Sequence, residues 1–497
     1  MAVAVIQSGT GNPEIDGLLS GAKWSGVVTY SFPDSAADYA ASGYGSNDPT
    51  STAGEPYDGF AQVSATQQAI ATAVMNSVAG FTNIQIQFND AASDASADIH
   101  IAQSSLPSTA WAYYPGNYEE GGDVWFGTVY DFRHAVAGTY EYHAMIHELG
   151  HALGLKHSQG DGEPGEIVVP YAHDSLEYTV MSYRAYAGAP LTGYGNEEFG
   201  FPTTFMANDI LALQTMYGAN YNTQSGNTVY SWSPTTGQSF IDGVGQLTPG
   251  GNRVFMTVWD GGGNDTYDLS NYSNAVLIDL NPGAYSITSN AQRADLSYYY
   301  GYSIYAHGTV YNAYLFEGDA RSYIENAIGG TGDDTLVGNA VANLLDGGQG
   351  KDTISGNGDA DTLVGGSGND SLDGGAGGDR LEGDAGADRF RYAAGGGGDE
   401  VADFNAAEGD KIDLTSFGST YDFGAIQLLA SQHAADTWID FGNGDVLVID
   451  GFLVGDLAAG DFVFGGSYSD IALTSAKIAE NSAFGQLVGT LSRSEEH

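Results

Sequence analysis

From Gly329 to Arg391 the chain runs as seven consecutive nonapeptides, opening at Gly329, Gly338, Gly347, Gly356, Gly365, Gly374 and Gly383. A fixed short period of this kind builds a repeated coil in which each turn is stabilised by its neighbours. The pattern is Gly-Gly-x-Gly-x-Asp-x-apolar-x. The eighth positions, Leu336, Leu345, Ile354, Leu363, Leu372, Leu381 and Phe390, are expected to stack as one thin internal column. The sixth positions are Asp334, Asp352, Asp361, Asp370, Asp379 and Asp388, with Asn343 the exception. Glycines make the tight turns, where main-chain carbonyls and these aspartates can wrap a hard cation. The ligand set is Gly330, Gly332 and Asp334; Gly348, Gly350 and Asp352; Asn357, Asp359 and Asp361; Gly366, Gly368 and Asp370; Gly375, Gly377 and Asp379; and Asp384, Gly386 and Asp388. Repeat 338–346 is degenerate, and 356–364 replaces two glycines with Asn357 and Asp359, so sites touching them are expected to be weaker or differently coordinated.

The charge balance agrees with cation binding. The chain has 14 Lys plus Arg against 62 Asp plus Glu, a formal charge of −48. Such a surface repels nucleic acid and anionic membranes, and bound calcium accounts for the excess carboxylate. A hydrophobic share of 42% argues against disorder. Without cysteine there is neither a disulfide framework nor a thiol to inhibit a metal centre. No apolar run is long enough to span a bilayer, and the N-terminus lacks the features of a cleavable signal peptide.

The chemistry lies upstream, in His147-Glu148-Leu-Gly-His151-Ala-Leu-Gly154-Leu-Lys-His157. Residues four apart share a helix face, so His147 and His151 can hold one metal ion. Gly154 lets the chain turn out of the helix and bring His157 back as a third nitrogen. Three imidazoles and an open position describe a catalytic zinc site. Glu148 lies beside the ion, where a carboxylate can take a proton from water. His143 has ligand spacing too, but the Gly154–His157 pair completes the site without it. His100, His134 and His173 lack partner spacing and read as surface or hydrogen-bonded residues.

This extended signature resembles the metzincin metalloproteases, which also carry a methionine turn below the metal. Tyr178-Thr-Val-Met181-Ser-Tyr183 supplies one, and its Met-x-Tyr form looks like the serralysin branch. The resemblance implies that Tyr183 is a displaceable zinc ligand that donates to the oxyanion. It also implies that the nonapeptides are repeats-in-toxin (RTX) motifs of a parallel β-roll. Trp259-Asp260-Gly-Gly262-Gly263-Asn-Asp265, completed by carbonyls of Gln224, Gly226 and Thr228, matches a family calcium site. Tyr323 and Glu325 match another. Residues 399–414 look like the strand pair that follows the roll.

Pattern places the other elements. Alternation predicts a strand ending at Phe32, a helix over 62–79, strands at 84–88 and 98–101, and a helix over 206–217 stopped by Gly218. Thr139 is expected to cap the histidine helix. Ala110, Trp111, Ala112 and Tyr113 are the expected edge strand that pairs with extended substrate through main-chain bonds. The fold class is an α+β metzincin catalytic domain followed by an all-β parallel β-roll and β-sandwich domain. The expected boundaries are a short pro-segment at 1–20 lying in the cleft, the zinc domain at 21–221, the calcium-binding domain at 222–465, and an extension at 466–497 resembling a truncated cadherin-like module.

These readings point to a secreted, calcium-stabilised zinc endopeptidase with Zn²⁺ and several Ca²⁺ ions. The implied setting is extracellular or cell-surface, in a Gram-negative bacterium, with export by type I secretion machinery as a monomer. Substrates are proteins or peptides, with surface-layer or other exported repeat proteins as candidates. The alternative is a cell-surface or matrix binding protein whose peptidase domain is incidental. Intact Glu148 and Tyr183 argue against it.

Overall fold

The computed structural model describes residues 2–39, 44–45, 51–90, 92–160 and 166–465. The extension at 466–497 and its cadherin-like reading lie outside the described residues. The chain divides into two compact units, 1–341 and 342–497.

In the first unit a sheet runs in the order Gln85–Phe88, Val27–Ser31, Ile99–Gln103, Val124–Phe126, Ala110–Ala112. The first four strands are parallel, and Ala110–Ala112 closes the edge antiparallel to Val124–Phe126. Helix Ala65–Phe81 starts at Ser64, whose hydroxyl and the Gln67 side chain cap each other's backbone N–H groups. Ile70, Val74, Val78 and Phe81 recur at helical spacing and are buried, each contributing about 1.5–3 kcal/mol. They share one core with Met145, Ile146 and Leu149 of helix Tyr140–Ala152.

Helix Tyr140–Ala152 is capped by Thr139, which accepts from the Tyr142 N–H, and it is buried from Tyr142 to Ala152. Its histidines therefore lie below the surface, while one face of the helix borders a cleft. The third helix, Ala207–Tyr217, ends at Gly218, whose φ is +79°. Beyond it, Val229–Trp232, Thr266–Asp268 and Asn326–Ile328 form a parallel sheet.

The N-terminal residues are placed differently from a segment lying in the cleft. Val3–Ile6 pairs antiparallel with Ala22–Ser25, and Ile15, Leu18 and Leu19 join the core. The Lys156 N–H donates to the Leu18 carbonyl, and no residue of 2–20 lines the cleft beside Glu148. Burying three large apolar side chains outweighs leaving the segment loose in a groove.

The second unit winds two parallel sheets. Leu345, Leu363, Leu381, Val401 and Ile449 are in register along one. Ile354, Leu372, Phe390, Ile412 and Phe462 are in register along the other. All ten are buried. The expected single column is therefore two rows, because one nonapeptide is half a coil and the pairing partner lies 18 residues on. Leu336, in the first unit, is buried and pairs with Ile278. The expected strand pair at 399–414 is also different. Gly398–Val401 and Lys411–Leu414 lie in separate sheets and continue the two rows. No helix among the described residues is long and apolar enough to cross a membrane.

Candidate zinc and calcium sites

His147, His151 and His157 each offer a ring nitrogen, and the three atoms lie within 4.8 Å of one another. The arrangement is fixed from outside the trio. His147 Nδ1 lies 2.8 Å from the Val180 carbonyl, and His151 Nδ1 lies 2.7 Å from the Leu155 carbonyl. A carbonyl only accepts, so both Nδ1 atoms carry the proton and both Nε2 atoms keep a lone pair for a metal. Burial holds the His147 imidazole well below its usual pKa, and the neighbouring histidines act in the same direction, which favours the neutral, ligating form.

His151 Nε2 and His157 Nε2 are 3.1 Å apart. Tetrahedral zinc with Zn–N near 2.0–2.1 Å places its nitrogens ~3.3 Å apart. The donor set therefore fits zinc. The Tyr183 hydroxyl is 2.9 Å from His157 Nε2, so Tyr183 reaches the same point. Glu148 is buried, its Oε2 has no hydrogen-bond partner, and burial pushes its carboxyl up to about 8.

Two glycines decide whether this assembly closes. Gly154 has φ +107°, and a Cβ there would meet the Ala22 carbonyl oxygen at 2.6 Å. At Gly150 a Cβ would come within 2.9 Å of Met181 Sδ, so the methionine turn packs directly on the helix between the histidines.

His143 does not join the trio. It is buried, its ring centroid is 6.1 Å from that of His147, and burial holds its pKa near 3. His100 is buried against Asp123, His173 pairs with Glu14, and exposed His134 pairs with Asp131.

A cleft of about 760 Å³ opens beside Glu148, with Ala110 of the edge strand on one wall and His143, Leu191, Tyr194 and Phe201 further in. Trp111 Nε1 and the Tyr113 hydroxyl both donate to Glu55 Oε1, at 2.9 and 2.7 Å, which holds the edge strand from behind. Sequence reading missed Glu55, which has no spacing relation to residues 56 and 58 positions away. It also missed Asp209, which accepts from the Thr179 hydroxyl and from the Val180 and Met206 N–H groups. Its position in the first turn of a helix was the available signal.

The expected calcium ligands fall into two groups. Asp260 accepts from the Gly262 N–H and the Tyr230 hydroxyl, and Asp265 Oδ1 accepts from the Thr228 N–H. Gln224, Gly262 and Gly263 have φ of +44°, +132° and +156°, and a Cβ on Gly263 would strike the Gly226 carbonyl oxygen at 2.3 Å. Glu325, expected at a neighbouring site with Tyr323, accepts from the Asp265 N–H at 2.7 Å. Tyr323 follows the turn Ala320–Ser322.

In the second unit the sixth-position aspartates obey one rule. Oδ1 of Asp361, Asp370, Asp379 and Asp388 accepts the N–H of the residue 18 positions earlier. The Oδ2 atoms of Asp361, Asp379 and Asp388 are buried without a hydrogen-bond partner. Burial raises these three carboxyls. Asn357, Asp359 and Asp384 adopt φ of +78°, +68° and +60°, so non-glycine residues keep the left-handed turn shape here. Buried carboxylate oxygens facing carbonyl-rich turns fit calcium.

Comparison with known proteins follows the same division. A Matrixin family model matches residues 55–180, a peptidase M10 serralysin C-terminal model matches 219–296, and the RTX calcium-binding nonapeptide repeat matches segments between 328 and 399. Serralysin G of Dickeya chrysanthemi is 32% identical over 337 residues, covering 65% of this chain and 61% of the relative. Metallopeptidase AprA of Pseudomonas marginalis is 31% identical over 333 residues, covering 64% and 61%. Serralysin C of Dickeya chrysanthemi is 37% identical over 235 residues, covering 46% and 43%. The chain thus spans less than two thirds of the length of these relatives. With a matrixin-type domain, a serralysin C-terminal region and calcium-binding repeats in that order, the chain is similar to the serralysin-type metzincins.

Proposed function

We propose that this chain is a calcium-stabilised zinc endopeptidase that hydrolyses extended segments of extracellular proteins. The observation that carries the reading is the convergence of His147, His151 and His157 with Glu148 on the wall of an open cleft. His147, His151 and His157 would hold the zinc, which supplies Lewis acidity toward a carbonyl and toward water. Glu148 accepts the proton of the attacking water and returns it to the leaving amine. The Tyr183 hydroxyl donates to the developing oxyanion. Ala110–Ala112 aligns substrate through main-chain bonds, a mode that selects extended backbone more than particular side chains.

Export through type I secretion machinery of a Gram-negative cell, as a monomer, fits the repeat array and the relatives' sources. Exported or surface-layer repeat proteins are the candidate physiological targets. Casein digestion by the purified chain tests the reading. Glu148→Ala should abolish hydrolysis while zinc stays bound. Activity surviving that substitution would sink the mechanism.

A further inference from the structure

Among the described residues of the first unit, a group of side chains apart from the histidine trio and the Asp260–Asp265–Glu325 cluster converges as metal ligands do. Asp34, Asp38 and Asp94 each offer a carboxylate oxygen, and the three atoms lie within 4.8 Å of one another. Two oxygens on opposite sides of a calcium ion at about 2.4 Å are separated by about 4.8 Å. Magnesium calls for a tighter octahedron at 2.0–2.1 Å, and zinc favours nitrogen or sulfur.

Asp94 supplies the second, independent observation. It is 4% exposed, and its Oδ2 has no hydrogen-bond partner. Its Oδ1 accepts only the N–H of its own neighbour Ala95, at 2.8 Å. Among the described residues, no lysine or arginine pairs with any of the three carboxylates. A buried carboxylate oxygen left unpaired beside two more acids is costly, and a bound dication removes that cost. Asp34 is exposed, so water can complete the coordination shell.

We propose that Asp34, Asp38 and Asp94 form a calcium site in the first unit, separate from those of the repeats. The ion ties the turn Ala36–Asp38 to the turn Asp94–Ser96, which feeds strand Ile99–Gln103. Asp38 already accepts the Ser35 N–H at 3.0 Å, and Ser31 Oγ donates to the Asp94 carbonyl at 3.1 Å, so both turns are shaped before the ion arrives.

The test is calcium content per chain, measured by atomic emission on full-length protein equilibrated at buffered free calcium. Asp94→Asn and Asp34→Asn should each bind one calcium fewer than the parent. Asp34 is exposed, so that variant stands even where Asp94→Asn fails to fold. Hydrogen exchange at residues 35–39 should slow as calcium rises in the parent and stay fast in Asp34→Asn. Equal calcium content in the parent and Asp34→Asn, with equal protection, would overturn the site.

Discussion

His147 donates from Nδ1 to the carbonyl of Val180, 2.8 Å away and 33 residues on. The first of the proposed zinc ligands is thereby aimed by the turn that carries Met181. That turn is held in place by Asp209, which accepts the Thr179 hydroxyl and the Val180 N–H. Asp209→Ala would leave those buried donors unpaired, at a cost of about 1–3 kcal/mol each. Zinc affinity should fall roughly 10- to 100-fold, as expected when the group orienting a ligand is lost. Competition with a zinc chelator measures this. Unchanged affinity would mean that the turn holds its shape without Asp209.

Tyr183 separates binding from chemistry. Its hydroxyl is 2.9 Å from His157 Nε2, and in the proposed mechanism it donates to charge that develops only during reaction. Tyr183→Phe should lower kcat about 10²- to 10³-fold and leave KM nearly unchanged. Steady-state kinetics on a peptide substrate decide it. A pure KM effect would assign the tyrosine to substrate binding.

Glu55 is expected to matter through the edge strand alone. Glu55→Ala removes the common acceptor of Trp111 Nε1 and the Tyr113 hydroxyl. The strand loses its backing, so kcat/KM for extended peptides should drop about tenfold, with most of the loss in KM. Zinc content should stay at the parental level. A loss of zinc would show instead that the damage spreads to the histidine helix.

The different visibility of these parts in the sequence has a physical origin. The histidine motif was legible because its geometry is local: four residues make one helical turn, and Gly154 makes the exit. Nonapeptide spacing was legible for the same reason. The two rows of apolar side chains were not, because they depend on which half-coil pairs with which, a relation 18 residues long. Glu55 and Asp209 act on partners about 30 to 58 residues away, and no short pattern marks such contacts. The strands 398–401 and 411–414 looked paired because they are neighbours in sequence, yet a coil sends consecutive strands to opposite sheets.

The Glu177–His307 pair gives a pH dependence. Its hydrogen bond to Glu177, and then the charge of that carboxylate, raise the His307 pKa, while burial acts the other way. With the folded pKa above the unfolded value near 6.5, the contribution is fully present below that value. It is lost as pH rises through the folded pKa. His307 is largely exposed, so solvent screening keeps the effect below ~1 kcal/mol. Thermal melts of the parent should show the extra stability at pH 6 and not at pH 9, and His307→Asn should remove the difference.

Calcium should decide whether the second unit folds. Asp361, Asp379 and Asp388 bury an oxygen that has no hydrogen-bond partner, and their neighbours in adjacent coils are also acids. Against that repulsion the repeat coils themselves set two thin rows of apolar side chains, too little core to hold a coil alone. Calcium neutralises the acids and binds only the wound form, so its binding energy becomes folding energy. Hydrogen exchange on the full chain should therefore show protection over 353–464 with millimolar calcium and loss of it in excess chelator. Helix Tyr140–Ala152 has its own buried core and should keep its protection in both conditions. Protection of the coils that persists in chelator would mean that packing alone winds them.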